Sequence, residues 1–169
     1  MRLSIDDNKI FAYRVAGIAR HGNKILLHKS VLGHNNWALP GGACAFGQSS
    51  TDTLIRELNE ELGAAVEIGS LQFIVENFFD WEGKRAHELG LYYEFSFIDN
   101  STKFYEQPDF TGLEEFDEIY GKHALLFKWI ELEDLYSYNL KPSFLKKLLF
   151  EKNLYPKHII HYDKDLEDT

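Results

Sequence analysis

The chain has 169 residues, 44% of them hydrophobic and 15% aromatic, which is enough apolar side chain for one domain spanning 1–169 with a real core and excludes a disordered polypeptide. A formal net charge of −9 argues against a nucleic-acid polymer or an anionic membrane as partner, because polyanions call for concentrated Lys and Arg. The single cysteine, Cys44, excludes an internal disulfide framework and a multi-cysteine zinc site and suits a reducing compartment.

Residues 1–9 carry Asp6 and Asp7 and lack the basic and apolar regions of a secretory leader, and no later apolar run reaches membrane-spanning length. The expected location is therefore the cytoplasm. Residues 11–20 predict a strand, residues 21–24 a turn and residues 24–29 a second strand, together a hairpin followed by a polar loop over 31–36. Trp37, Ala38 and Leu39 are short and apolar, and Pro40-Gly41-Gly42 then interrupts regular structure and lets the backbone approach something closely.

Ser49 and Ser50 are N-cap residues for a helix running to about Leu62, with Gly63 as its left-handed stop. Residues 66–79 and 88–98 predict longer strands separated by a turn over 80–84, the second ending at Asp99-Asn100-Ser101. The acidic stretch 103–122 reads as a loop, 123–130 as a strand and 143–152 as an amphipathic helix after Pro142. This order predicts an α+β or α/β fold, a mixed sheet packed by helices on its faces.

On a wheel of about 100° per residue, Leu54, Ile55, Leu58 and Leu62 share one arc of the central helix, and Glu57, Glu60 and Glu61 another. Like charges three and four residues apart repel unless a cation joins them. All-oxygen carboxylate donors suit a hard ion shared with phosphate, Mg²⁺ or Mn²⁺. An acidic stripe alone is more simply a solvated helix face. The spacing adds what the stripe lacks: Leu39-Pro40-Gly41-Gly42, thirteen residues, then Arg56-Glu57-Leu58-Asn59-Glu60-Glu61-Leu62-Gly63.

That pattern resembles the box of Nudix (MutT-like) hydrolases and matches seven of its nine defined positions. Gln48 stands where the family has its first Glu, and Ala64 where a larger aliphatic residue is usual. Leu26-Leu27, Trp37-x-Leu-Pro-Gly-Gly, Trp129-Ile130 and Leu135 resemble further family landmarks through about residue 150. The resemblance implies an α/β/α sandwich and a pyrophosphohydrolase that opens the diphosphate linkage of a nucleoside diphosphate derivative with metal-activated water. It also implies Glu57 and Glu61 as principal ligands of Mg²⁺ (or Mn²⁺), Glu60 and the Gly41 carbonyl near the metal, and Arg56 orienting Glu57; Arg56, Glu57 and Glu60 would be the catalytic set. A further glutamate from outside the box would come from Glu88, Glu114, Glu115 or Glu118.

Gln48 keeps the size and hydrogen-bonding capacity of Glu without its charge. The alternative reading is accordingly a non-catalytic nucleotide-binding or regulatory module on the same fold. The partner is expected to be a small nucleotide or diphosphate substrate, with a homodimer implied by the family's habits. Arg14 could donate to a phosphate or simply face solvent on its strand. Glu88, beside His87 at a strand start, could join the site or be a turn-flanking polar residue. Phe46, Phe79, Trp81, Tyr92 and Tyr93 could stack a base, but strand aromatics more simply pack a sheet. Cys44 has no paired base and reads as a packing residue, and His158 and His161 as part of a solvated tail.

Overall fold

Strand alternation organises the chain into two sheets, which the computed structural model describes over residues 1–32, 35–117, 121–151 and 154–163. The first sheet is mixed. It joins β1 (Arg2–Asp6), β2 (Lys9–Ile18), β5 (Gly41–Ala43), β6 (Val66–Trp81), β7 (Lys84–Phe97) and β10 (Lys157–Tyr162) in the order β1-β2-β7-β6-β10, with β5 also on β2. The second comprises β3 (Arg20–His21), β4 (Lys24–Ser30), β8 (Asp109–Asp117) and β9 (Gly121–Glu131), ordered β3-β4-β9-β8. Within the first sheet β2 and β7 run parallel, as do β6 and β10.

Neighbouring residues of one strand feed different cores, as the two-residue period of a strand requires. Ala16 and Ile18 join Phe73, Val75 and Tyr92 in one buried cluster, whereas Val15 and Ala19 join Phe95 and Phe97 in the other. The α-helix α1 (Ser50–Leu62) closes the second cluster with Leu54, Leu58 and Leu62. The first is closed by Trp37, Leu39, Leu135 and the short helix α2 (Leu145–Leu148). The expected α+β class and the layered arrangement of helices about a mixed sheet are both present.

The α1 boundaries follow the capping chemistry. Ser49 accepts from the Asp52 amide at 3.1 Å, and Gly63, at φ 62° and ψ 30°, donates its amide to the Asn59 carbonyl. The 66–79 and 88–98 strands form one long hairpin with a tight turn at Glu82-Gly83, both at positive φ. Strand β7 therefore begins at Lys84, and His87 and Glu88 lie inside it rather than at its start.

Several expectations are corrected. The strand over 11–20 is two strands in two sheets, because the chain crosses between them at the buried Ala19. Gly41 and Gly42 belong to a strand, β5, held by pairing with β2. The acidic stretch 103–122 contains β8, anchored by Phe110 stacked on Phe127 at 5.4 Å and 2°. The helix over 143–152 shrinks to one α-turn, Leu145–Leu148, because the bonds on either side of it close three-residue turns, Lys146 N to Ser143 O (3.2 Å) and Glu151 N to Leu148 O (2.9 Å) among them; Lys152 lies outside the described residues. His158 and His161 stand on β10, which pairs with β6, so they are part of a sheet rather than of a tail.

Candidate active site

The site is assembled where β5 lies against β2. Arg14, Val15 and Ala16 pair with Ala43, Gly42 and Gly41 in antiparallel register. Flanking bonds from Gly17 N to Pro40 O (2.8 Å) and from Cys44 N to Tyr13 O (2.9 Å) lengthen the seam. Gly41 sits at φ 136°, where a side chain is strained, and a Cβ there would lie 2.8 Å from Ala16 Cα and overlap the Val15 carbonyl. At Gly42 the obstacle is a functional group: a Cβ would overlap the Glu57 carboxylate, 2.6 Å from Oε1. The double glycine thus brings a bare backbone against a carboxylate of α1.

The three glutamates of α1 are sorted by depth. Seven residues at about 100° each return Glu61 to within about 20° of Leu54, and Glu61 is buried at 4% exposure. The Glu57 side chain is half-buried, and that of Glu60 is exposed at the rim. Ile55, expected on the packing arc, is exposed instead; the buried arc is centred between Glu61 and Leu58 and ends before it. Glu57 and Glu61 therefore face inward, whereas Glu60 lies farther out.

Arg56 ties this face together. Its Nη2 donates to Glu57 Oε1 at 2.7 Å, its Nη1 to Glu60 Oε2 at 2.8 Å and its Nε to Gln48 Oε1 at 3.4 Å. Burial opposes the guanidinium charge, but the Glu57 and Glu60 carboxylates outweigh it and hold the Arg56 pKa above the usual value. Gln48 Oε1 also accepts from Thr53 Oγ1 at 3.2 Å. Gln48 thus occupies the acceptor position of the missing glutamate, with a neutral oxygen in place of an anionic one.

Arg14 turns toward the same loop from the opposite side of β2. Its Nη2 donates to the carbonyls of Leu39 (3.3 Å) and Gly41 (3.4 Å). His28, buried behind Leu39, is pushed down to about 3 by burial first and then by the Arg14 charge, partly offset by its hydrogen bond to the Leu39 carbonyl. Burial and then the Glu88 charge push the Tyr92 hydroxyl well above the ordinary tyrosine range, with Arg14 pulling the other way. Glu88 is buried on β7 between Ala12 and Asn77. Strand parity puts it on the face of Ala16 and Tyr92, away from α1.

The structure thus brings Gly42 against Glu57 and joins Gln48, Glu57 and Glu60 through Arg56, with Gly41 beside Gly42 on β5, Glu61 buried one helical turn beyond Glu57 and Glu88 on the other sheet face. Glu114 and Glu115 fall on β8, and Glu118 lies outside the described residues. His28 and Thr53 escaped sequence reasoning: each acts only through tertiary contacts, and neither belongs to a spaced motif. Tyr92 packs edge-on to Phe73 at 6.5 Å and Phe79 stacks with Trp81 at 6.3 Å, as sheet aromatics do. Phe46 is exposed, whereas Cys44 is buried with its thiol pKa pushed up by burial.

Among the described residues no three His, Cys, Asp or Glu side chains are gathered closely enough to form a metal cluster by themselves. The donor chemistry nevertheless suits a hard cation: Glu57 and Glu61 supply carboxylates, Gly41 supplies a carbonyl, and the missing Cβ of Gly42 lets the Glu57 carboxylate rest on the β5 backbone. A divalent ion of that kind takes its remaining ligands from water and substrate phosphate.

A glycine-walled strand set against a carboxylate-bearing helix is the centre of this layered α+β fold. Residues 11–150 match the model of the NUDIX domain, and the chain belongs to that family, whose hydrolases act on pyrophosphate bonds. An RNA pyrophosphohydrolase of Ruthia magnifica subsp. Calyptogena magnifica is 44% identical over 50 residues, a stretch covering 30% of this chain and 27% of that protein. The fold is shared with a MutT protein from Methanosarcina mazei Go1 at TM-score 0.58 and 16% identity, covering 86% of this chain and 94% of that one. It is also shared with an ADP-ribose pyrophosphatase from Streptococcus suis 89-1591 at TM-score 0.54 and 17% identity, covering 89% and 98% of the two chains.

Proposed function

We propose that this chain is a divalent-metal-dependent pyrophosphohydrolase that cleaves the diphosphate linkage of a small nucleoside diphosphate derivative. The observation that carries the reading is the Glu57 carboxylate, set against the Cβ-free Gly42 backbone and gripped by Arg56 at 2.7 Å. In this reading Glu57, Glu61 and the Gly41 carbonyl hold Mg²⁺ or Mn²⁺, and Glu60 supplies a further carboxylate at the rim. A bound divalent ion lowers the pKa of water and offsets charge developing on phosphate.

The remaining chemistry belongs to the chain. Arg56 fixes the rotamer of Glu57 through the 2.7 Å bond to Oε1, so the carboxylate is already oriented when a ligand arrives. Gln48 holds Arg56 from the loop side. The buried Glu61 carboxylate, one helical turn beyond Glu57, is the second carboxylate ligand in this reading. A protein of net charge −9 repels phosphate at long range, so local cations must reverse the field at the site. Glu88, on the other sheet face, is proposed as a shaping residue for the bound molecule rather than as a base.

The substrate is proposed from chemistry alone as a nucleotide joined through a diphosphate to a second group. The proposed protein is a single cytoplasmic domain that pairs with a second copy. No helix among the described residues is long and apolar enough to cross a membrane. A panel of nucleoside triphosphates, nucleotide sugars and 5′-triphosphorylated oligonucleotides in ¹⁸O-water with Mg²⁺ or Mn²⁺ tests the reading, mass spectrometry showing which phosphorus acquires the label. Glu57→Gln is expected to reduce turnover of the best substrate by at least about a hundredfold, the range of a lost metal-site group. Unchanged turnover would sink the mechanism.

Gln48 favours one second reading, a nucleotide-binding module without turnover. Thermal stabilisation by nucleotides across the panel with no labelled product would support it.

A further inference from the structure

We propose that Arg14 is a positioning residue for the Gly41 carbonyl: its guanidinium, bonded to the carbonyls of Leu39 and Gly41 on either side of Pro40, fixes the orientation of that turn. The inference rests on the metal-site reading above, in which the Gly41 oxygen is one of the donors.

The local packing is built around this reach. Arg14 stands on β2 between Ala43 on β5 and Gly90 on β7. Its two cross-strand neighbours are therefore among the smallest side chains available. At Gly90 a Cβ would come within 2.9 Å of the Tyr92 ring, so any larger residue there would collide with the ring beside the guanidinium. The ring takes the space over Gly90, and one Arg14 nitrogen bridges the two carbonyls at 3.3 and 3.4 Å. Each bond is long, but charge assistance strengthens both, and a planar guanidinium restricts two peptide groups together.

The turn needs such a restraint. Gly41 lies at φ 136°, and a glycine has no Cβ to limit rotation of its adjoining peptides. The strand seam fixes Pro40 O through Gly17 N at 2.8 Å, but the Leu39 and Gly41 carbonyls on either side are the ones Arg14 holds. His28 approaches the same Leu39 carbonyl from beneath, buried and stacked on Phe127 at 5.3 Å. The Arg14 side chain is partly buried, with its donor on two backbone carbonyls rather than turned to solvent.

A positive charge beside a metal donor also repels the metal, so removing Arg14 outright would mix two opposed effects. Arg14→Lys separates them, because lysine keeps the charge but puts it on a flexible stem without the rigid planar fork that pre-orients the donor toward both carbonyls. Mn²⁺ alone, titrated into the full chain by electron paramagnetic resonance, gives the affinity, and hydrogen exchange of amides 38–43 reads the turn directly. Arg14→Lys is expected to weaken Mn²⁺ binding about tenfold, the range for groups that orient metal ligands, and to speed exchange across 38–43.

Arg14→Gln, which has one amide donor and no charge, is expected to speed the same exchange and provides that readout should the lysine variant fail to fold. Wild-type exchange in either folded variant, or wild-type or tighter Mn²⁺ binding in Arg14→Lys, overturns the positioning role; a rise in KM alone with both readouts unmoved would assign Arg14 to the phosphate. Failure of the wild-type chain to bind Mn²⁺, with Glu57→Gln equally silent, would instead remove the metal reading, leaving the exchange result to judge Arg14 by itself.

Discussion

The backbone of Gly42 and the carboxylate of Glu57 occupy adjoining space with no room for even one methyl group between them. The first element comes from an edge strand and the second from a helix fifteen residues later in the chain, so their contact is where the two halves of the sequence pattern become one site.

Gly42→Ala tests that contact. The atoms displaced are the end of a flexible glutamate rather than backbone, so folding should be little affected and Tm should move by a few degrees at most, as about 1 kcal/mol does in a domain of this size. The site is expected to lose much more: the carboxylate must swing away and break its 2.7 Å bond to Arg56. Mn²⁺ affinity and turnover should both fall more than about tenfold, and retention of both would show that the close approach is incidental.

Gln48→Glu restores a charge to an acceptor already in place. Gln48 Oε1 lies 3.4 Å from Arg56 Nε and 3.2 Å from Thr53 Oγ1; an anionic oxygen would make the neutral Thr53 bond charge-assisted, about twice as strong, and turn the Arg56 bond into an ion pair. A catalytic chain limited by its glutamine should gain turnover several-fold in steady-state assays. A non-catalytic module should gain thermal stability without acquiring turnover, so the two readings of the fold separate on this one variant.

The helix α1 was legible in the sequence because its signals are local: Ser49 at the cap, Gly63 at the stop and leucines on one face. The division of labour among its glutamates was not, because a wheel gives direction but not how far the neighbouring sheet wraps round it. Glu61 falls inside the buried arc and Ile55 outside. Strand β8 was hidden by its acidic residues, since Phe110 is the one described side chain that reaches far into the core, and β10 by a sequence that acquires strand character only beside β6. Arg14 was visible as a candidate, but its partners were not: the Leu39 and Gly41 carbonyls lie 25 and 27 residues away.

Arg20 caps the carbonyls that follow the second helix, and its loss should be measurable. Its side chain is largely buried, donates to the Leu149 and Glu151 carbonyls at 2.9 and 3.1 Å and lies 3.7 Å from Glu94. Arg20→Met preserves much of the packing but leaves those carbonyls without their charged donor. A cost of about 1.5–3 kcal/mol is expected in urea denaturation, the range for hydrogen bonds to charged groups. Exchange should speed selectively over residues 145–151; uniform protection would show that water replaces the guanidinium without penalty.

His28 gives the fold a distinct dependence on acid. In the folded chain its pKa is lowered to about 3, first by burial and then by the Arg14 charge, whereas in the unfolded chain it returns to about 6.5. Above pH 6.5 the ring is neutral in both states and contributes no pH dependence. As pH falls from about 6.5 towards 3 the unfolded chain takes up the proton first, so stability is lost across that window and not above it. A shift of this size corresponds to several kcal/mol at its limit, since each unit is about 1.4 kcal/mol. Urea denaturation at pH 7 and pH 5 should show a smaller acid loss in His28→Gln than in the wild type, by about 1–2 kcal/mol over those two units. Equal losses in the two proteins would mean that His28 is protonated in the folded chain as readily as in the unfolded one, and hence that neither burial nor the Arg14 charge depresses it.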